Sequence, residues 1–128
     1  MRVLLDTHIL IWFMDGEKEL SQSVIDIIRN YENEIFVSVA SIWEIVIKTS
    51  ISKLPYYGSV NDIYEFLNKY KIELINISPN HLSTLLTLPH HHRDPFDRLI
   101  ISQAIVEKLS VVTADQHFAA YQVDIVAQ

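Results

Sequence analysis

The stretch DPFDRLIISQAIVEKLSVVTAD, Asp94 to Asp115, decides how this chain must fold. It opens on an acid followed by proline, the pairing that starts helices. The aspartate accepts hydrogen bonds from free backbone N–H groups, and proline fits the first helical position because its missing N–H is not needed there. The apolar pattern that follows predicts a helix over Pro95 to Leu109, and Ser110 to Thr113 then reads as a strand ending beside Asp115. A helix that feeds directly into a strand is half of a crossover, and crossovers join parallel strands.

Working outward, the same alternation fills the chain. Val3 to Leu5, Ile35 to Val39, Ile72 to Ile77 and Val123 to Val126 read as further strands. Helical segments are expected over Ser21 to Tyr31, Ala40 to Ser50, Val60 to Tyr70 and Pro79 to Leu86, with shorter turns after Asp6 and Asp115. The expected class is α/β: three layers, α/β/α, around a mostly parallel central sheet of five strands. With 128 residues, 49% of them hydrophobic, one domain spanning 1–128 suffices to bury a core.

Composition excludes several functions. The chain has no cysteine, so disulfides and thiolate metal sites are out, which suits a reducing cytoplasm. Only Gly16 and Gly58 are present, so glycine-rich phosphate loops are absent as well. A net charge of −6 argues against broad electrostatic coating of nucleic acid, although a metal or a few arginines could still hold a phosphate. Asp6 and His8 interrupt the apolar N-terminus, so no secretion signal is expected; the run Ile35 to Ile47 carries Glu44 and falls short of the ~20 residues a membrane span requires. A soluble, cytoplasmic protein is expected.

The acids then acquire a common address. Asp6 follows the first strand and Asp115 the late strand SVVT, so both stand at carboxyl ends of parallel strands. Glu44 lies about one turn into the helix leaving the second strand, and Asp97 lies in the first turn of a helix returning to that edge. Open α/β sheets bind ligands there. Two carboxylates ~4 Å apart repel by about 4 kcal/mol at an effective dielectric near 20. Such a cluster needs a counter-ion or a proton. Oxygen donors suit a hard cation, Mg²⁺ or Mn²⁺, and metal-assisted phosphodiester hydrolysis follows chemically.

The ordered set LLDTHILIW, SIWEIVIK, HRDPFDRLIISQA and VVTADQHF resembles the PIN-domain ribonucleases, in particular VapC-type toxins of toxin–antitoxin modules, across essentially the whole chain. The resemblance implies that Asp6, Glu44, Asp97 and Asp115 are the acidic metal-binding and catalytic residues, with Thr7 and Thr113 accompanying the first and last. It also implies a metal-dependent endoribonuclease acting on RNA, pairing with itself and restrained by a cognate antitoxin. His8 departs from the family pattern, which usually has asparagine there.

Other residues have plainer readings beside the functional one. Asp94 is first a helix N-cap and second a metal-shell acid. Asp97 shares a helical stripe with Ile101 and Ala104, which should face the sheet, and that favours a functional role. Glu44 has Lys48 four residues on, yet its surroundings are too apolar for an ordinary exposed pair. His90 to His92 reads as an exposed loop rather than a ligand set. Arg93 and Arg98 are candidate RNA phosphate contacts. Trp12, Phe13, Trp43, Ile47 and the loop Leu54 to Tyr57 are core or partner groove, with base stacking by Tyr56 or Tyr57 a secondary reading.

Three other functions compete. A phospho-receiver switch needs an aspartate ending the middle strand and a lysine after a later one, where this chain has Ser78 and Asp115. A DxD phosphatase needs a second acid where His8 stands. A catalytically inactive PIN-fold binding module would not need all four acids.

Overall fold

The computed structural model describes residues 1–56 and 58–128, so the reading of Tyr57 lies outside the described residues. The elements run β1 (Arg2–Leu5), α1 (Thr7–Met14), α2 (Gln22–Arg29), β2 (Glu34–Ser38), α3 (Val39–Ser50), α4 (Val60–Lys69), β3 (Glu73–Ile75), α5 (Pro79–Thr87), α6 (Pro95–Glu107), β4 (Ser110–Thr113) and β5 (Ile125–Ala127). A 3-10 turn, Gln116–Ala120, separates the last two strands.

Side-chain alternation along the strands builds two cores. Val3 and Leu5 of β1, with Ile35 and Val37 of β2, join Ile9, Phe13, Val24, Ile42, Ile45, Ile63 and Leu67 from the helices on one face. Leu4, Phe36 and Val111 point the other way, onto Ile100, Ile101, Ala104 and Phe118. A sheet apolar on both faces must be covered on both, which gives the three-layer α/β/α arrangement. The strand order is β3-β2-β1-β4-β5 and every pairing is parallel. The receiver-type order 2-1-3-4-5 is different, and the chain does not follow it.

Direction reverses between β1 and β4: the chain first moves outward through β2 and β3, then returns to the other side of β1. The crevice between two such neighbours is where open sheets gather their ligands. Leu5 pairs with Val112, so Asp6 and Thr113 emerge side by side at that crevice.

One element is longer than the sequence suggested. The short turn expected after Asp6 is an eight-residue helix, α1, with Thr7, Ile9, Leu10 and Phe13 buried. THILIWFM is apolar almost throughout, so it shows little helical periodicity, and a helix packed on most sides needs none. At the far end of α6, Lys108 takes a left-handed φ of 56° and stops the helix two residues before β4. Among the described residues, no helix is long and apolar enough to cross a membrane.

Candidate metal centre

Asp6 caps α1. Its Oδ1 accepts the Ile9 N–H at 2.9 Å, its Oδ2 accepts the Thr113 hydroxyl, and its own N–H donates to Val112 O at 3.1 Å. Burial pushes the carboxyl up, while the Thr113 hydroxyl and the Ile9 N–H pull back against it. Thr113 also accepts the Asp115 N–H at 3.0 Å, so one hydroxyl ties both strand-end acids together. Thr7 donates to Ser41 Oγ at 2.9 Å and joins α1 to α3.

Glu44 is 2% exposed on α3. One oxygen accepts from the Lys48 ammonium, and the other, Oε1, is buried without a hydrogen-bond partner. The Lys48 pairing set aside from sequence is therefore real, but it is a partly buried pair and not an ordinary surface one.

Asp97 stands in the first turn of α6, where the Asp94 Oδ1 accepts its N–H at 3.0 Å and that of Phe96 at 2.9 Å. Asp94 is thus the helix cap that its place before proline predicts. Burial pushes the Asp97 carboxyl up to about 8, helped by the charges of Asp94, Glu44, Asp6 and Asp115. Asp6, Glu44, Asp94 and Asp115 thus lie close enough to Asp97 for their charges to act on it. Asp115 is the most open. Burial raises it, but the His117 N–H and the His117 ring outweigh that and hold it below the usual carboxylate range.

Two sequence readings need correction. Arg98, a candidate phosphate contact, is buried: its guanidinium donates to Pro89 O at 2.7 Å, Leu88 O at 3.1 Å and the Tyr121 hydroxyl at 3.3 Å. It fastens the loop before α6, whereas Arg93 is exposed. His92 does not behave as an exposed loop residue. Its side chain is 11% exposed, with Nε2 3.5 Å from Asp97 Oδ2. One ligand atom each from His92, Asp97 and Asp115 lie within 4.8 Å of one another. The signal that places His92 is Tyr121, far along the chain, so no local pattern shows it.

Phe13, named for a partner groove, is core at 3% exposure, while Trp43 is 54% exposed and meets Phe96 edge-on at 5.1 Å. A cleft of about 370 Å³ is lined by Thr7, His8, Glu44, Lys48 and Lys53. The residues fit a divalent cation. The donors are mainly hard oxygens, Glu44 Oε1 is an orphaned buried acceptor, and a raised Asp97 shows charge that a cation would relieve.

A family model for the PIN domain matches residues 3–123. The chain belongs to the PIN domain family. Comparison with curated protein sequences gives no match. Among solved structures, this PIN domain is similar to VapBC2 from Rickettsia felis bound to a promoter DNA fragment, at 19% identity and a TM-score of 0.75, covering 99% of this chain and 98% of that one. It is similar to DNA-bound VapBC from Salmonella typhimurium at 13% identity, TM-score 0.72, covering 99% and 98%. A toxin–antitoxin complex from Klebsiella pneumoniae matches at 20% identity, TM-score 0.68, covering 98% and 96%. Two of these neighbours are VapBC complexes and the third a toxin–antitoxin complex, all at low identity, and PIN domains are typically nucleases that hold divalent metal.

Proposed function

We propose that this chain, acting as a single domain in the cytoplasm, is a Mg²⁺- or Mn²⁺-dependent endoribonuclease and the toxin of a toxin–antitoxin pair. The observation that carries the reading is the convergence of Asp6, Glu44, Asp97 and Asp115 on the crevice between β1 and β4, with Asp97 pushed to about 8. These four acids would hold the ion. Bound there, a divalent ion supplies an activated water and offsets charge on the scissile phosphate.

The chain's own residues do the rest. Thr113 ties the Asp6 carboxylate to the backbone of Asp115, and the Asp94 cap holds the first turn of α6, which carries Asp97. Arg93, exposed in the loop before α6, would contact an RNA phosphate, and Lys48 and Lys53 line the cleft beside Glu44. The antitoxin would use the apolar cleft of about 320 Å³ formed by Ile11, Met14, Ile45, Leu54 and Tyr56, which shares Ile11, Ile45 and Leu54 with the acidic one. Exposed Trp43 and Val46, three residues apart on α3, offer an apolar face for a second copy of the chain.

The test is cleavage of RNA with and without each metal. Asp6→Asn, Glu44→Gln, Asp97→Asn and Asp115→Asn should each lower the rate by at least ~100-fold with the fold retained, since each strips charge from the ion's cage. Full metal-dependent activity in the Asp97→Asn protein would remove that residue from the assignment. Absence of cleavage in the wild type under both metals would leave a PIN-fold binding module in place of an enzyme.

A further inference from the structure

The cluster His92, Asp97 and Asp115 looks at first like a mixed nitrogen–oxygen metal site. Counting donors around Tyr121 argues otherwise. The Tyr121 oxygen has two lone pairs and one proton. Three N–H groups already point at it: His91 N at 3.1 Å, His92 N at 3.2 Å and Arg98 Nη1 at 3.3 Å. The fourth neighbour is His92 Nδ1 at 2.9 Å. A hydroxyl already crowded by three donors has no room for a fourth, so its own proton must go to Nδ1. The ring is then an acceptor at Nδ1 and carries its hydrogen on Nε2. That atom is buried, has no hydrogen-bond partner among the described residues, and faces Asp97 Oδ2 across 3.5 Å.

We propose that Arg98, Tyr121, His92 and Asp97 form a relay in which His92 is a positioning residue, its Nε2–H aimed at Oδ2 of Asp97, and not a metal ligand. The relay rests on the nuclease reading and adds to it. Arg98 is anchored on the carbonyls of Leu88 and Pro89, so its hold on Tyr121 transmits the position of the loop before α6 to the ring. The His117 ring lies parallel to that of His92, at 5.9 Å and 3°, and bonds Asp115 at 2.8 Å, which limits rotation of the imidazole. With an ion held by Asp97, the N–H would serve as an outer partner of that ligand, and such partners typically change metal affinity by ~10–100-fold.

Two measurements on the full chain test this. Nitrogen-15 correlation spectra of the histidine rings in chelator-treated protein should show His92 with its hydrogen on Nε2, and Tyr121→Phe should release that preference. Mn²⁺ titration in a calorimeter should show His92→Gln, whose amide keeps a donor, close to wild type, and His92→Phe weaker by ~10–100-fold. A ring protonated on Nδ1 overturns the relay, as does a His92→Phe chain that binds Mn²⁺ like wild type. So would a direct nitrogen–manganese coupling, lost in His92→Phe, in pulsed electron paramagnetic resonance. A wild-type chain that binds neither Mn²⁺ nor Mg²⁺ fails earlier, on the nuclease reading itself, and the wild-type isotherm tells the two failures apart.

Discussion

Asp97 carries a proton that its unfolded counterpart would give up, and this fixes the sign of its effect on stability. In the folded chain its carboxyl is raised from the model-peptide value of 3.8 to about 8, chiefly by burial and then by the charge of Asp94. Between those two values the folded state holds the proton and the unfolded state does not, so stability falls as pH rises. The contribution is complete below 3.8 and lost as pH passes through about 8. Asp6, also raised by burial, adds in the same direction. Asp115, held low, has the opposite sign, but its loss comes only as pH falls through the acid range. In chelator, the urea midpoint of the wild type should therefore decline from pH 5 to pH 8 relative to Asp97→Asn, and Mg²⁺ should reverse that decline. Parallel pH profiles for the two proteins would show that Asp97 is not the group concerned. At this scale the sequence was partly legible. The acids could be found because strand ends and helix starts place them by rule, whereas His92 and Arg98 take their positions from Tyr121, more than 20 residues distant, where spacing carries no information.

Helix α6 and helix α3 present the acids from opposite sides, and each depends on one local contact. For α6 it is the Asp94 cap, which accepts the N–H groups of Phe96 and Asp97. Asp94→Ser should keep the cap, while Asp94→Ala should lose about 1 kcal/mol in urea unfolding. Because Asp94 is the strongest of the charges raising Asp97, both substitutions should also move the pH decline of the wild type to lower pH. Equal loss of activity in the two, with unchanged stability, would put Asp94 on the ion instead. For α3 the contact is Lys48 on the buried Glu44. Lys48→Met leaves that carboxylate without its partner, and in chelator this should cost about 1–3 kcal/mol. The double variant with Glu44→Gln should recover most of it, and Mg²⁺ should stabilise Lys48→Met more than wild type, because no ammonium competes for Glu44. An unchanged urea midpoint for Lys48→Met would show that the pair contributes nothing. The elements themselves were largely readable: α6 from Asp94–Pro95, β4 from SVVT, and α5 from Pro79 onward. The exception, α1, lacks a polar face, so amphipathic spacing could not reveal its length.

Over the whole molecule, acidity and apolar surface lie next to each other, and that juxtaposition sets what a partner must look like. The chain carries a net charge of −6, with its buried acids gathered at one crevice. The cleft holding Glu44 and Lys48 continues through Ile11, Ile45 and Leu54 into the apolar one bounded by Met14 and Tyr56. A segment that fills both needs apolar side chains followed by a basic one, the latter competing with Lys48 and with the metal for the same carboxylates. The apolar part should supply most of the affinity and the basic part the inhibition. Calorimetry with the protein encoded beside this chain should therefore show binding that survives replacement of its basic residue, while suppression of RNA cleavage does not. Met14→Asp, on the apolar wall away from Glu44, should weaken binding by ~10-fold or more without altering cleavage by the free chain, since a charge placed against a desolvated apolar surface costs well over 1 kcal/mol. Raising the Mg²⁺ concentration should relieve inhibition, since ion and basic side chain exclude each other at Glu44. Inhibition that is indifferent both to Mg²⁺ and to the partner's basic residue would mean that the partner works by blocking RNA access alone, and the competition for the acids would have to be given up.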